Sequence, residues 1–352
     1  MEIITVSTLD EIGQWDDYVC NHSLATPYHL YAWLLSIERT YRHKSTALMA
    51  KSGNKVLGIL PIVVMRMPVV SDKASSLPYC DLGGVLADDE NINKQLVTSA
   101  IEYCSDNGLK HFEIRQRSPS PADADASLTD KKVRMLLPLP ENSGLLASAF
   151  KSKLRSQINK STKNGLTASI ARGFDDPTLI DQFYRVYCIN MHLLGSPAHS
   201  REWFRQIAKN YDKNCVVSIV RLGEQALAGG IVLRTDRKAS IPWASTIPEY
   251  NRLAPNMLLY WSLLEYCTDH GVSEFDFGRS TYEEGTYRFK KQWGAQPELL
   301  QWDSYLNGKK LDPQHSISKM KSIRSRIETG WRLLPLPVTA WMGPKIRKYI
   351  SL

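Results

Sequence analysis

The chain has 352 residues, with 43% hydrophobic, 23% charged and a formal net charge of +8. That is a globular balance, long enough for two domains, and it excludes disorder, collagen, disulfide-scaffold and coiled-coil classes. The charge is uneven: residues 1–118 hold 11 Lys and Arg against 14 Asp and Glu, residues 119–310 hold 25 against 20, and residues 311–352 hold 8 against 2. Local basic patches of this kind suit an anionic ligand or an anionic membrane surface better than a nucleic-acid coat.

The first 17 residues carry five acids and no base, which does not read as a secretory leader. The longest strongly apolar run, Ile59 to Met65, falls far short of the ~18 residues of a spanning helix. Six cysteines (Cys20, Cys80, Cys104, Cys188, Cys215 and Cys267) show no CxxC and no paired spacing. Reduced thiols in a cytosolic protein are expected, with no metal site and no disulfide framework.

Next comes an amphipathic helix ending near Tyr41, then a strand (Thr46–Lys51), a turn centred on Gly53 and a second strand (Lys55–Met65). A further strand, a helix ending at Gly108 and a strand over His111–Arg115 complete the set. The same order returns: a helix to Tyr211, Val216–Arg221, a turn at Gly223, Gln225–Arg234, Ala239–Ser245, a helix ending at Gly271, and Glu274–Phe277. The residues return with it. EYCSDNGLKHFEIRQ (102–116) matches EYCTDHGVSEFDFGR (265–279). HLYAWLLSIERTYRHK (29–44) matches HSREWFRQIAKNYDKN (199–214), and KSGNKVLGILPIVV (51–64) matches RLGEQALAGGIVLR (221–234). Three blocks in one order predict two homologous α/β (α+β) domains, 1–140 and 141–310, and an extension over 311–352. Each domain is expected to be a mixed, mainly antiparallel sheet flanked by helices.

Several residues carry possible chemistry. Pro255 is placed to open a helix whose free N–H groups could hold an anion, with Arg252 just before it and Asn256 just after. An ordinary solvated helix start is the alternative. Arg279 follows the strand FDFG and could clamp a phosphate or carboxylate, with Ser280 beside it. Asp276 reads as a base or as an Arg partner. Lys151, Lys153, Arg155, Lys160 and Lys163 make a basic helix over 151–165, for an anion or for solvent. Trp243, Tyr250, Tyr287, Phe289 and Trp293 could line an acyl or sugar pocket or fill the core. No Ser-His-Asp or Cys-His array is legible, so the acceptor itself is expected to attack.

The segment FDFGRSTYEEGTYRFKKQWGAQPELLQW (275–302), with SLPYCDLGG (76–84), NMHLLGSP (190–197) and LAPNMLLYWSLLEYC (253–267), resembles FemAB-related proteins associated with exosortase/PEP-CTERM exopolysaccharide systems. The likeness extends to the tail WRLLPLPVTAWMGPKIRKYI (331–350). It implies tandem folds of the Gcn5-related acetyltransferase (GNAT) type and transfer of an acyl or aminoacyl group to a cell-envelope saccharide, peptidoglycan or lipid-linked precursor. It also implies no tightly bound cofactor, and a donor that is aminoacyl-tRNA, acyl-CoA or acyl-carrier protein. In the pair Phe289-Lys290, Lys290 matches a Fem lysine that stabilises the transition state, with Lys291 next to it. Arg155 matches a Fem arginine that meets the acceptor's diphosphate. Two departures stand out. There is no room between Ile219 and Ser245 for a coiled-coil arm, and YNRLAPNM replaces the acetyl-CoA fingerprint Q/R-x-x-G-x-G/A. A non-catalytic glycan- or partner-binding scaffold is the rival from another class.

The tail sets Ile317, Met320, Ile323 and Ile327 at helical spacing among Lys319, Lys321, Arg324 and Arg326. Trp331, Leu333, Leu334, Leu336, Trp341, Lys345, Arg347 and Lys348 follow. That pattern suits peripheral contact of residues 316–352 with an anionic membrane at the cytoplasmic face, or packing on the domains.

Overall fold

The computed structural model describes residues 1–68, 71–117, 131–311 and 327–351. It divides into two compact units. One comprises Met1–Asp123, Leu299–Ser318 and Tyr349–Leu352, and the other Ala124–Glu298 and Lys319–Lys348.

In the first unit, β1 (Glu2–Thr5), β2 (Lys44–Ser52), β3 (Lys55–Met65), β4 (Lys73–Ser75), β6 (His111–Arg117) and part of β13 (Gln296–Leu306) form the sheet in that order. Only the β4–β6 pair is parallel among them. The short β5 (Leu86–Ala87) pairs with β3, and β14 (Lys309–Lys310) pairs with β13. Helix α1 (Leu9–Asn21) starts in a capping box. Thr8 accepts from the Glu11 N–H, and the Glu11 carboxylate takes the Thr8 N–H at 2.9 Å. It buries Trp15 and Val19, and α2 (Tyr31–Tyr41) follows it. Helix α3 (Glu90–Asp106) presents Ile92, Leu96, Ala100 and Cys104, every fourth residue, to a core with Leu60, Ile62 and Phe112. Gly58 permits that approach: a Cβ there would stand 2.8 Å from Ile92 and 2.9 Å from Leu96.

In the second unit the order is β7 (Lys132–Pro138), β12 (Glu274–Thr281), β11 (Lys238–Thr246), β10 (Gln225–Arg234), β9 (Cys215–Leu222), β8 (Leu166–Arg172). Only β11–β12 is parallel. Around the sheet lie α4 (Ser143–Ala149), α5 (Ser152–Lys163), α6 (Pro177–Leu194), α7 (Arg201–Tyr211), α8 (Pro255–Asp269), α9 (Gly285–Lys291) and α10 (Leu336–Arg347). A mixed, mostly antiparallel sheet flanked by helices is thus present in each unit.

Repeats and units are not coextensive. β7 lies within 1–140 yet pairs with β12, while residues 300–306 of β13 lie within 141–310 yet pair with β6. Each sheet closes one flank with a strand encoded by the other repeat, which satisfies N–H and C=O groups that would otherwise stand at an edge. The structure also exposes a fourth repeated block. Lys73-Ala74-Ser75 runs parallel to His111-Phe112-Glu113, and Lys238-Ala239-Ser240 runs parallel to Glu274-Phe275-Asp276 in the same register.

Of the tail, residues 312–326 lie outside the described residues, including Ile317, Met320 and Ile323. Helix α10 packs on α6 in the second unit. Thr339 and Gly343 form its buried face, and His192 Nδ1 lies 3.2 Å from Thr339 Oγ1. Trp331 is also buried, whereas Leu333 and Trp341 are 82% and 65% exposed.

Candidate active site

The site grows from the parting of β11 and β12. Their ladder stops at Ser240 and Asp276, although β11 runs on to Thr246 and β12 to Thr281. A bulge in β12 bends it there. Asp276 pairs with Leu136 and Arg279 with Arg134, so Phe277 and Gly278 together oppose Met135. Gly278 has φ +75°, which a side chain would disfavour.

Two side chains grip the bulge. Asp276 Oδ1 accepts the Gly278 N–H at 2.7 Å. Lys290, 7% exposed on α9, donates its Nζ to the carbonyls of Gly278 and Arg279 at 2.9 and 2.8 Å. The other Asp276 oxygen lies 3.5 Å from Arg134 Nη1, and Arg134 also holds Glu298 at 2.9 Å. Burial works against the Arg134 charge, but Asp276, Glu298 and Glu274 outweigh it and keep the guanidinium firmly protonated. Asp276 thus stands as an ion-pair and turn-forming residue, with both oxygens committed. The hydroxyls of Ser240 and Ser280 are buried with no hydrogen-bond partner among the described residues.

Aromatic rings floor this region. Tyr260 stacks on Phe277 at 5.5 Å and meets Phe289 at 5.1 Å, and Trp293 lies 6.4 Å from Phe289. Tyr287 is buried beside Tyr282, with Lys291 Nζ 5.5 Å from its ring centre. Burial raises the Tyr287 phenol above its ordinary value, and Lys291 partly offsets this. Trp243 packs into a cluster with Trp203, Phe204 and His199. The bulk of an indole is better accommodated there than at a wet rim.

Helix α8 opens at Pro255 as the sequence predicts, after a short 3₁₀ helix (Pro248–Leu253) and Ala254 at φ +63°. Arg252 is exposed, Asn256 is half-buried, and the Tyr250 hydroxyl bonds to Gln225 at 3.0 Å. On α5 the structure brings Arg155, Lys160 and Lys163 together with Ser152, Ser156 and Asn159 around a shallow depression of about 460 Å³. Arg155 Nη1 also donates to the Phe150 carbonyl at 3.0 Å.

Cys80, Cys104, Cys188, Cys215 and Cys267 are buried. Burial pushes Cys104 up to about 11, and Cys215 and Cys267 up to about 12, so these thiols are not ready nucleophiles. Among the described residues, no three His, Cys, Asp or Glu side chains gather as a metal site. No described helix is long and apolar enough to cross a membrane.

Sequence reasoning missed Arg134, Glu298 and Ser240. Arg134 reaches Asp276 through the pairing of β7 with β12, and Glu298 reaches Arg134; neither leaves a local motif. Ser240 had a signal in the repeated Lys-Ala-Ser triplet.

Residues 148–291 match the acetyltransferase (GNAT) domain family. A 90-residue stretch is 24% identical to the lipid II:glycine glycyltransferase of Staphylococcus saprophyticus, covering 23% of this chain and 22% of that protein. The fold is similar to the crystal structure of FemX, with a TM-score of 0.69 and 14% identity over 87% of this chain and 97% of the other. It is also similar to a tandem GNAT protein from the clavulanic acid biosynthesis pathway, with a TM-score of 0.51 and 13% identity over 87% and 98%. Residues 148–291 are thus similar to a GNAT acetyltransferase domain, and the fold is similar to that of FemX and of a tandem GNAT protein.

Proposed function

We propose that the second unit transfers an acyl or aminoacyl group to an amine or hydroxyl of a cell-envelope precursor. The observation that carries this is the buried Lys290 ammonium on the β12 bulge, where β11 and β12 part inside the acetyltransferase match. Acyl transfer builds negative charge on the carbonyl oxygen, and a fixed cation in a water-poor site lowers that barrier. The acceptor's lone pair forms the new C–N or C–O bond. The donor's C–O or C–S bond breaks, and the acceptor's proton leaves with the departing oxygen or sulfur. Lys290 stabilises the charge, Asp276 positions the bulge, and Arg279 clamps an anionic part of the substrate. The α5 depression takes a phosphate-bearing part of the acceptor through Arg155, Lys160 and Lys163.

The likeness to a lipid II:glycine glycyltransferase supports an aminoacyl group and a lipid-linked acceptor; the aminoacyl-tRNA donor and an exopolysaccharide-type acceptor rest on the resemblance carried by residues 275–302. The tail would then rest on an anionic membrane through Leu333, Trp341 and Lys345. A thioester donor is the second reading, favoured by the acetyltransferase match itself. Native mass spectrometry with thermal-shift titrations of coenzyme A, acyl-CoAs, glycyl-tRNA and nucleotide sugars tests the donor. Stabilisation by glycyl-tRNA is the expected result. Stabilisation by a thioester alone would move the reading to acyl-CoA chemistry, and silence across the set would favour the binding scaffold.

A further inference from the structure

The first unit repeats the ladder of the second but ends it differently. Two residues beyond Asp276, at Gly278, β12 bends away from β11; two residues beyond Glu113 stands Arg115, 1% exposed. Arg115 Nε donates to Glu113 at 2.8 Å, and its guanidinium lies over the Trp302 ring, 4.7 Å from the centre. Arg115 Nη1 donates to the Cys80 carbonyl at 2.8 Å and to the Ser351 carbonyl at 3.1 Å.

The Ser351 oxygen has a second donor. The Tyr79 N–H reaches it at 2.6 Å. Tyr79 holds φ +70°, a left-handed conformation that strains a residue with a Cβ. Its hydroxyl lies 3.0 Å from His43 Nε2, and both residues are buried. A buried guanidinium and a strained backbone N–H therefore converge on one carbonyl oxygen, a built arrangement for an acyl or carboxylate oxygen. A segment needing only cover would not require a buried charge and a left-handed tyrosine.

We propose that the end of the β4–β6 ladder in the first unit, at Arg115 and Tyr79, is a binding site for a peptide segment, recognised through its carbonyl oxygen. Residues 349–351 are its resident ligand, held in cis. This occupant stoppers the first unit at the register position where the second unit's strands part. The site takes no part in the transfer reaction, so its test is independent of the donor.

The probe is the peptide acetyl-Lys-Tyr-Ile-Ser-Leu, titrated by calorimetry into the full chain and into a variant lacking residues 349–352. The expected result is saturable binding to the shortened protein, none to the full chain at equal concentration, and at least tenfold weaker binding after Arg115→Lys in the shortened chain. Absence of binding by a shortened protein with native circular dichroism would overturn the proposal, as would equal binding by the full chain. Should the shortened chain not fold, hydrogen exchange on the full chain decides. A resident ligand lets the Tyr79 amide exchange at least tenfold faster than that of buried Ile114. Exchange of both at one global-unfolding rate would make 349–351 an ordinary part of the core and overturn the proposal.

Discussion

Lys290 and Asp276 hold one bulge from opposite sides, and that shared task decides what their loss does. Lys290→Met leaves two carbonyls beside a buried gap, so a stability loss of roughly 2–5 kcal/mol is expected. Denaturant titration with unchanged slope would check it. A second residue shows the reverse sign. Burial raises Asp16 to about 6, against the lowering effect of the Tyr31 N–H that it accepts at 2.7 Å. The folded state thus binds its proton more tightly than the unfolded state, and stability falls as pH rises from about 4 to about 6. Asp16→Asn keeps an acceptor without the charge. It should stabilise the protein by roughly 1–3 kcal/mol at pH 7 and by little near pH 4. A neutral-pH melting temperature at or below that of the parent would refute this. Lys290 was singled out by the resemblance of Phe289-Lys290 to a Fem pair, and Asp276 and Arg279 by their place in and after the strand FDFG. Arg134 was not, because its place beside Asp276 depends on a pairing between strands more than 130 residues apart.

At the scale of elements, glycines spoke most clearly. Gly108 and Gly271 were read as helix ends, and both have positive φ, +67° and +81°. The 3₁₀ helix before α8 had no comparable signal, since its polar residues suit a loop equally well. Helix α10 shows what packing adds. A Cβ at Gly343 would stand 2.8 Å from the Ala198 nitrogen. Gly343→Ala should therefore cost roughly 1–3 kcal/mol and make residues 327–348 more sensitive to limited proteolysis. The same helix should respond to acid. His199 is buried and accepts from Arg347 Nε at 3.1 Å; burial first, and then Arg347, hold its pKa well below the ordinary value of 6.5. Its contribution is present above pH 6.5 and lost as pH falls through the folded value, by at most about 1.4 kcal/mol per pH unit. Stability scanned from pH 7 to 5 in the parent and in His199→Gln should show a shallower decline in the variant. Equal slopes would show that His199 does not set the acid response.

Across the whole molecule, the internal repeat announced a duplicated α/β fold, because three blocks of sequence recur in order. The exchange of β7 and β13 did not show, since a strand's own residues name its burial pattern and not its partner. Residues 1–140 expressed alone would lack residues 300–306, leaving β6 without that neighbour. That fragment should be aggregation-prone, without a cooperative melt, whereas the full chain melts cooperatively. A soluble fragment with a sharp transition would show that the first repeat is self-sufficient. Transfer itself can be measured on the intact protein. The full chain is incubated with isotopically labelled glycyl-tRNA or acyl-CoA and a lipid-linked saccharide-peptide, and the acceptor is read by mass spectrometry. A labelled acceptor is expected, its rate of formation dropping about 10²- to 10³-fold in Lys290→Gln that has kept its fold. No labelled acceptor with either donor, or an unchanged rate in that variant, would contradict it.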